Sequence, residues 1–381
     1  MRILVTVPWG EPLGGAEAML QAVLDGAREE GHELEPVFFQ GGSWPRSLAQ
    51  AGFRVRVLRT GRMREAHKWF TAVISLARIM RSRQPDLILN WAAKTQLYGA
   101  PAAALAGMTD RVIWWQHAVP QRNWLDAIAT LLPTVAVGCT SNTAAHAQAR
   151  FFPARRTFVV PAGTPIPDSA TKSLPPLDRR QDVPVVGLVG RLQPWKGQDR
   201  LLRAQALLRD RGHPMHTLIV GGDAYGLSSE YASSLPGLID ALGLEGSVTL
   251  TGQVPEAGPH IEQMDILVNA SDPEPFGIVL LEGMSRAVAV VAVDSGGPRE
   301  FIEHERTGIL ARSGEPAALA DALEPLLSSQ ATRKAIGDAG HELFLREFTD
   351  AALRSRFFAG LQTLVQERQR NSNSHGRPIE R

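Results

Sequence analysis

The sequence predicts an α/β protein with two doubly wound parallel-sheet domains that face a cleft. Three observations indicate this class: short β-branched runs alternate with helix-like stretches, the runs are almost wholly apolar, and the alternation stops once and then resumes. Alternating strands and helices are typical of βαβ units, and continuous apolar strands suit a sheet buried on both faces. A chain of 381 residues is also too long for one domain, because domains usually contain about 100–200 residues.

The first half of the chain contains six predicted strands. The first helix, Ala16–Glu30, is expected to end at Gly31, because glycine is favoured just after a last helical turn. We assign residues 1–165 to an N-terminal domain. Its predicted strands are Ile3–Val7, Val37–Phe39, Val55–Leu58, Leu87–Leu89, Val112–Trp115 and Val135–Val137.

The second half repeats the pattern after an interruption. Residues 161–184 contain six prolines among Asp, Ser, Thr and Arg, a composition typical of a linker. We assign residues 166–348 to a C-terminal domain, expect a helix over residues 349–366 to pack back on the first domain, and expect a disordered tail over 367–381. The predicted strands of the second domain are Val185–Val189, Thr217–Val220, Val248–Leu250, Ile266–Val268 and Val288–Ala292.

Composition excludes several classes of protein. Hydrophobic residues make up 44% and charged residues 21%, which excludes wholesale disorder. The formal charge of +1 provides no global field to hold nucleic acid, so no nucleic-acid partner is expected. A single cysteine, Cys139, excludes an internal disulfide framework and fits a reducing compartment. No apolar run reaches the roughly 20 residues of a spanning helix, so we expect a cytoplasmic protein.

The strongest local signal is the segment 272–284, which directly follows an apolar strand. Its first residues, Asp272-Pro273-Glu274-Pro275-Phe276-Gly277, combine two prolines and a glycine in a turn, and a helix is expected to begin near Gly277. The turn would present the backbone N–H groups of Phe276, Gly277 and Ile278 at a helix N-terminus, which favours anions.

Two glutamates of this segment suit two tasks. Glu274 lies just outside the expected helix, a place that would suit contact with a sugar, and Glu282 lies more than one turn inside it, a place that would suit a bidentate grip on vicinal hydroxyls. The alternative is that Glu274 only caps the helix and Glu282 is a solvated surface charge.

A basic loop forms the second signal. The segment Gly190-Arg191-Leu192-Gln193-Pro194-Trp195-Lys196-Gly197 joins a predicted strand to the predicted helix Gln198–Arg209. Arg191 offers a planar fork and Lys196 a point charge at a strand-to-helix turn, where a phosphate would be held. Two solvated loop cations are the alternative.

Two weaker signals lie in the first domain. Gly14-Gly15-Ala16-Glu17 opens the first helix, where glycines let a ligand approach the backbone or simply form a turn. His117 follows Trp114-Trp115-Gln116 at the carboxyl end of a predicted strand, where it would contact a substrate or act as a satisfied structural histidine.

Taken together, these motifs resemble a retaining glycosyltransferase of the two-Rossmann-domain (GT-B) type, family 4, also called glycosyl transferases group 1. The resemblance covers the chain from Gly14-Gly15-Ala16-Glu17 to Thr307-Gly308 and includes Gly296-Gly297-Pro298-Arg299-Glu300. The order and spacing of the motifs are specific, whereas each motif alone is not.

The resemblance implies a role for each matching residue toward a nucleoside-diphosphate sugar. Arg191 and Lys196 would neutralise the donor diphosphate, and Glu282 would bind the ribose hydroxyls. Glu274 would lie against the donor sugar, which His117 would contact from the first domain. Backbone N–H groups would also hold the diphosphate, namely those of Gly15, Phe276, Gly277, Ile278 and Val279. Backbone groups of Gly252, Gln253 and Val254 would meet the base.

The resemblance further implies front-face attack with retention at the anomeric carbon, a UDP- or GDP-linked donor, and no metal or other cofactor. The acceptor hydroxyl is open, either lipid-linked or on a small molecule, in bacterial glycan, glycolipid or glycosylated-metabolite synthesis. Ala287 and Ala289 depart from the family, which usually has a glycine and a proline there, so the turn after the helix is expected to differ.

Other readings stay open at this point. A non-catalytic nucleotide-sugar-binding module, a sugar phosphorylase and a nucleotide-sugar epimerase share the predicted fold, and an NAD-dependent dehydrogenase shares its doubly wound domains but would need a G-x-G-x-x-G fingerprint, which is absent. Peripheral membrane contact is a further possibility, because Trp69, Val73, Leu76 and Met80 form an apolar stripe flanked by basic residues. Those basic residues are Arg62, Arg64, Lys68, Arg78, Arg81 and Arg83. More often such a helix packs on its sheet.

Overall fold

Two parallel sheets organise the chain, which confirms the predicted fold class. The computed structural model describes residues 1–12, 14–61, 65–121, 123–168, 174–175, 177, 183–223, 226 and 228–375, with side chains to residue 370. It divides into one unit of Met1–Pro161 with Ala351–Arg381, and a second unit of Ala162–Asp350. Residues 169–173, 176 and 178–182 of the predicted linker, and Arg62, Arg64 and Arg122, lie outside the described residues.

The first unit contains a seven-stranded sheet. Its strands are β1 (Arg2–Val7), β2 (Glu33–Phe38), β3 (Arg56–Val57), β4 (Leu87–Asn90), β5 (Val112–Gln116), β6 (Ala136–Cys139) and β7 (Thr157–Val159). All neighbours pair in parallel, in the order β3-β2-β1-β4-β5-β6-β7. The direction of the winding therefore reverses between β1 and β4, and ligands of such sheets bind outside the carboxyl ends of the strands at that point.

Helices connect these strands, and each buries one face inside the unit. They are α1 (Gly15–Ala27), α2 (Ser43–Gln50), α3 (Ala66–Arg83), α4 (Ala93–Ala106), α5 (Trp124–Leu131) and α6 (Asn142–Gln148). The helix α1 stops as expected: Gly31 adopts a φ of 73°, and the His32 N–H donates to the Ala27 carbonyl at 2.8 Å. The apolar stripe of α3 packs inside the unit, with Val73, Leu76 and Met80 buried. That stripe is therefore core rather than a membrane-facing surface. The single cysteine, Cys139, ends β6 and is also buried.

The second unit contains a six-stranded sheet with the same kind of reversal. Its strands are β8 (Val185–Val189), β9 (His216–Val220), β10 (Val248–Leu250), β11 (Ile266–Asn269), β12 (Ala289–Val293) and β13 (Ile309–Ala311). The order is β10-β9-β8-β11-β12-β13, so the reversal lies between β8 and β11. The helices are α7 (Gln198–Asp210), α8 (Ser229–Ala241), α9 (Gly258–Ile261), α10 (Ile278–Met284), α11 (Pro316–Ser328) and α12 (Gln330–Glu347).

The last helix, α13 (Asp350–His375), belongs to the first unit apart from its first residue. Its Phe357 ring lies 5.0 Å from Trp115 and 6.3 Å from Trp91, and Arg368 Nη1 donates to the Asp86 carbonyl at 2.7 Å. The helix continues to His375, so the prediction of disorder from residue 367 is wrong for residues 367–375. The aromatic packing at its start anchors a helix that its polar sequence would not stabilise alone. The described helices include none that is long and apolar enough to cross a membrane.

Candidate functional site

The two motifs of the second unit meet at the reversal of its sheet. Lys196 follows β8 and Glu274 follows β11, and these strands are neighbours in the sheet. Lys196 Nζ lies 2.9 Å from Glu274 Oε2, although 78 residues separate them. The sheet topology therefore brings together a cation and an acid that the sequence showed only as separate signals.

Glu274 is buried and held by two donors. Its Oε2 accepts from Lys196 Nζ and from Asn269 Nδ2, the latter at 3.2 Å, while Asn269 Oδ1 accepts from the Ser271 N–H at 3.0 Å. A buried carboxylate without such partners would lose several kcal/mol of solvation, of order 1–3 kcal/mol for each unmade hydrogen bond. Asn269 thus fixes the Glu274 carboxylate, a role that we did not assign from the sequence. Its polar side chain at the end of an otherwise apolar strand was the available signal.

Lys196 is also positioned by its own loop. It ends a short 3₁₀ turn, Pro194–Lys196, and its ammonium lies 4.1 Å from the centre of the Trp195 ring. Trp195 Nε1 in turn donates to Gln193 Oε1 at 2.9 Å. A cation over an indole face is stabilised by about 0.5–2 kcal/mol, so Trp195 and Glu274 together restrict the ammonium to one place.

The turn after Glu274 is shaped by a contact with the loop after β12. The Gly297 N–H donates to the Glu274 carbonyl at 2.8 Å, and a Cβ on Gly296 would lie 2.0 Å from that carbonyl oxygen. Only glycine fits at Gly296, which also has a φ of 74°. The Gly296-Gly297 pair of the sequence motif therefore clamps the turn that carries Glu274.

Helix α10 begins as predicted, just after Gly277, which adopts a φ of 94°. No side chain caps this helix. The first N–H groups of a helix have no partner within it and carry its positive end, so Ile278 and Val279 present donors suited to an anion. Phe276, which precedes them, is buried, and its ring centre lies 5.2 Å from that of Phe301. This contact holds the turn in place.

Glu282 has a different environment from Glu274. It lies on α10 and is partly buried. Burial raises the pKa of the Glu282 carboxyl to about 7, against a smaller opposite effect of the Arg286 charge. Arg286 Nε pairs with Glu262 Oε1 at 3.4 Å, and its Nη1 donates to the backbone carbonyl of Glu282 at 3.2 Å. The carboxyl is therefore desolvated, which prepares it to accept hydrogen bonds from ligand hydroxyls.

Arg191, Gln253 and Val254 lie on neighbouring strand ends of the same sheet. The N–H of Leu192, next to Arg191, donates to the Gly222 carbonyl at 3.0 Å, and the Gly221 N–H donates to the Gly252 carbonyl at 3.1 Å. These bonds tie together the loops after β8, β9 and β10. Gln253 is exposed, and the described residues give it no contact with Glu274 or Lys196.

The turn after α10 contains the two alanines that depart from the family. Ala287 adopts a left-handed φ of 54°, which alanine disfavours, and Ala289 begins β12. Ala287 therefore takes the positive φ that alanine disfavours, and the difference of this turn from the family stays a prediction. A backbone hydrogen bond accompanies this conformation: the Val288 N–H donates to the Gly283 carbonyl at 3.1 Å and closes the helix end.

In the first unit, the glycine motif opens α1 at the reversal of the sheet. Gly14 precedes the helix with an extended φ of −159°, Gly15 begins it, and no side chain caps it. Trp91 follows β4, the neighbouring strand, and its Nε1 donates to the Ala16 carbonyl at 3.0 Å. The motif thus leaves helix N–H groups available next to a large buried aromatic residue.

His117 packs edge-on against Trp91, with ring centres 4.7 Å apart. Burial lowers the pKa of the His117 imidazole to about 3, and a hydrogen bond to the Trp91 backbone opposes this only in part. His117 Nε2 is buried and has no hydrogen-bond partner among the described residues. The imidazole is therefore neutral near pH 7 and has one ring nitrogen available for a ligand.

The loop that carries His117 is organised by Asp126, which the sequence did not single out. Asp126 Oδ1 accepts from Gln116 Nε2 at 3.2 Å, and its Oδ2 accepts from Asn123 Nδ2 at 2.8 Å and from the Gln121 N–H at 3.3 Å.

A cavity of about 410 Å³ lies at the loop that follows β2, where Gln40 and Gly41 form part of its lining. Among the described residues, no group of three or more His, Cys, Asp or Glu side chains could hold a metal ion.

Comparison with known proteins shows what this geometry is similar to. Residues 170–343, which contain every site residue of the second unit, match the family model of glycosyl transferases group 1. A lipopolysaccharide core biosynthesis glycosyltransferase of Rhizobium meliloti is 24% identical over 359 residues, covering 90% of this chain and 94% of that one.

Further relatives support the same class. A GDP-mannose-dependent phosphatidylinositol monomannoside mannosyltransferase of Mycobacterium tuberculosis is 29% identical over 71% of this chain and 74% of its own length. The solved structure of Anabaena HepE with UDP-glucose superposes with a TM-score of 0.80 at 25% identity, covering 95% of this chain and all of that one. The protein is therefore a glycosyltransferase with the GT-B fold.

Proposed function

We propose that the protein transfers a sugar from a UDP- or GDP-linked donor to a hydroxyl acceptor, with retention at the anomeric carbon, as a member of family 4. The observation that carries the proposal is the buried contact between Lys196 and Glu274 beside the uncapped start of α10. A cation, an acid and free helix N–H groups converge there, which is what a departing diphosphate attached to a sugar requires.

The residues of the second unit suit the nucleotide half of the donor. Lys196 and Arg191 would neutralise the diphosphate, together with the N–H groups of Phe276, Gly277, Ile278 and Val279. Glu282 would accept hydrogen bonds from the ribose hydroxyls, which suits a carboxyl whose burial already disfavours solvent contact. The exposed backbone at Gln253 and Val254 would meet the base, and Gly15 would supply an N–H group of the first unit to the diphosphate.

The sugar would be held by hydrogen-bonding groups rather than by a protein nucleophile. Glu274 would accept from a sugar hydroxyl, and His117 Nε2, buried and without a partner among the described residues, would accept from another. With a pKa of about 3, His117 would not act as an acid near neutral pH. The leaving diphosphate would then take the acceptor proton in a front-face reaction, while cations and helix N–H groups stabilise its charge. No metal is required in this scheme.

The place in metabolism is proposed from the relatives. Their names refer to lipopolysaccharide core synthesis and to phosphatidylinositol mannosides, so we propose a glycan or glycolipid pathway of a bacterium. The first unit would bind the acceptor and the second the donor, on the cytoplasmic side of the membrane.

The test is a thermal-shift panel with UDP, GDP, ADP, dTDP, CDP and NAD, each in excess EDTA. A ligand that binds only the folded state adds about 2.7 kcal/mol of stability at a hundredfold excess over Kd. We expect a shift with UDP or GDP that Glu282→Ala removes. The corresponding sugar nucleotide should then release its nucleoside diphosphate when an acceptor extract is added. A shift with NAD alone would contradict the proposal, and nucleotide binding without any turnover would favour a binding module. Turnover that requires magnesium or manganese would contradict the metal-free scheme.

A further inference from the structure

Arg191 is a cation without a protein partner at its tip. It is partly buried in the loop after β8, and its guanidinium has no hydrogen bond or ion pair in the part of the chain that the structure describes. Lys196, the other cation of this loop, is instead held by Glu274 at 2.9 Å. The Arg191 guanidinium therefore takes its place from the backbone that carries it.

The peptide group that follows Arg191 is held at both ends. Its carbonyl oxygen accepts from Gln198 Nε2 at 2.9 Å, and its N–H, which belongs to Leu192, donates to the Gly222 carbonyl at 3.0 Å. A peptide group is planar, so these two bonds fix its orientation and with it the ψ angle of Arg191. Of the two partners, Gln198 alone acts through its side chain, and it is fully buried.

Gln198 is itself held at the start of α7 by Tyr231 of α8. Tyr231 Oη accepts from the Asp199 N–H at 3.1 Å and lies 2.8 Å from Asp199 Oδ1 and 3.2 Å from Gln198 Oε1. Its single proton can be donated to either oxygen, and burial raises the pKa of the hydroxyl, so it keeps that proton near neutral pH. The Gln198 amide therefore has a partner at each end, the Tyr231 hydroxyl at its oxygen and the Arg191 carbonyl at its nitrogen.

A second buried glutamine of α7 has the same chemistry in a different place. Gln205 Nε2 donates to the carbonyls of Met215 and Ser247 at 3.2 and 3.1 Å, and its Oε1 accepts from Thr217 Oγ1 at 2.8 Å. Met215 and Ser247 directly precede β9 and β10, so Gln205 ties together the amino ends of these strands. Ligands of such sheets bind at the carboxyl ends, so Gln205 provides a structural counterpart to Gln198.

We propose that Gln198 is a positioning residue for donor binding: by holding the peptide group after Arg191, it orients the Arg191 guanidinium toward the diphosphate of the nucleotide sugar. Gln198 has this role only if Arg191 binds the diphosphate, so it rests on the proposed function. A guanidinium binds phosphate oxygens through a planar fork with directional hydrogen bonds, so an error in its orientation weakens binding. Lys196 differs, because it acts as a point charge and is held by Glu274.

The experiment measures Kd for UDP and for GDP by calorimetry, in variants of the full chain. Gln198→Leu keeps a buried side chain of similar size and removes both amide contacts, so Kd should rise at least roughly fivefold. In an Arg191→Met background, the same change should alter Kd by less than about twofold, because the group that Gln198 orients is already absent. In a Lys196→Met background, the roughly fivefold effect should persist.

The matched control is Gln205→Leu, which removes an equally buried amide from the same helix. Its Kd should stay within about twofold of the parent value, because its partners lie away from the diphosphate. Tyr231→Phe keeps the ring and removes the hydroxyl, so Kd should rise by roughly threefold. The melting temperature without ligand reports that each variant is folded.

A Gln198→Leu effect that is the same in the parent, Arg191→Met and Lys196→Met backgrounds overturns the positioning role, because a general loss of packing would weaken binding in each case alike. An unchanged Kd in Gln198→Leu, or an equally large effect of Gln205→Leu, overturns it as well. A parent protein that binds neither nucleotide, or an Arg191→Met variant with parental affinity, instead rejects the donor assignment on which the role depends. The two failures are therefore distinguishable.

Discussion

Two glutamates at the start of α10 have opposite environments, one in the turn before the helix and one on the helix itself. Glu274 in the turn is buried with its charge neutralised by Lys196 and a hydrogen bond from Asn269. Glu282 on the helix is desolvated, its neighbouring arginine pairs with Glu262, and burial raises the pKa of its carboxyl to about 7. The same residue type, eight positions apart, is thus paired with a cation in one place and desolvated, with a raised pKa, in the other.

Glu274 is therefore preorganised before the donor binds, whereas Glu282 gains its hydrogen-bond donors only from a ligand. A carboxylate that is already paired needs no rearrangement when charge develops nearby, which is the property that lowers a barrier. A desolvated carboxyl gains most when ligand hydroxyls donate to it, which is the property that binds a ribose. We therefore expect changes at Glu274 to affect turnover and changes at Glu282 to affect affinity.

The largest expected effect is that of Glu274→Gln. The amide keeps the size of the side chain but removes the charge opposite Lys196, so kcat should fall at least about 100-fold, while UDP or GDP affinity changes little. Initial rates of nucleotide release and calorimetry measure the two quantities. The control is Glu303→Gln, which neutralises an exposed partner of Arg306 and should leave both unchanged. A Glu274→Gln enzyme with parental kcat would show that the ion pair only supports the fold.

The next effect is that of Glu282→Ala on binding. Loss of charged hydrogen bonds costs about 1.5–3 kcal/mol each, so Kd for the nucleoside diphosphate should rise at least about tenfold. Calorimetry against Glu245→Ala, an exposed glutamate on a loop of the same unit, provides the comparison. Equal affinity of both variants would remove Glu282 from the site.

The dependence of binding on pH sharpens the same contrast. Ribose hydroxyls that donate to Glu282 favour its ionised form, so binding should release protons and tighten as the pH rises through about 7. Calorimetry in two buffers with different ionisation enthalpies measures the released proton. Glu282→Gln should abolish that release, and a pH-independent Kd in the parent protein would contradict the assignment.

The stability of the free protein should change with pH in the opposite sense. Because the pKa of Glu282 is raised from 4.5 to about 7 on folding, the folded state binds more protons in this window, and stability falls as the pH rises through it. The melting temperature of Glu282→Gln should therefore fall less between those two pH values than that of the parent protein. Identical profiles would show that the carboxyl is solvated.

The smallest effect concerns the turn that ends the helix of Glu282. Ala287 has a φ of 54°, a conformation that costs an L-residue roughly 1–2 kcal/mol and that glycine adopts freely. Ala287→Gly should raise the free energy of unfolding by about 0.5–1 kcal/mol, measured by urea denaturation. Ala335→Gly, on the exposed side of α12, should lower it by about 1 kcal/mol. A loss of stability in both variants would mean that Ala287 is unstrained.

Much of the fold follows from patterns that are local in sequence. Apolar runs located the strands from Ile3–Val7 to Val288–Ala292, and the turn chemistry at Gly277 located the start of α10. Thr157–Val159 and Ile309–Ala311, three residues each, were missed, although the equally short edge strand Val248–Leu250 was found. The helix beyond residue 366 was missed because its polar composition hides the aromatic anchor at its beginning.

The site was predictable only in its residue types. Position after a strand singled out Lys196 and Glu274, but their contact depends on the neighbouring order of β8 and β11, which no spacing reveals. The fixing of Glu274 by Asn269, and of the His117 loop by Asp126, depends on side-chain directions that only packing sets.

Cys139 has a practical consequence for measuring any of these changes. Burial at the end of β6 raises the pKa of its thiol to about 12. At pH 8 only about one such thiol in ten thousand is ionised, and the thiolate is the form that reacts. Because the sequence contains no other cysteine, a single cysteine introduced at the surface would react with a maleimide dye far faster than Cys139. Fluorescent reporters can therefore be attached at a chosen position without first removing the native thiol.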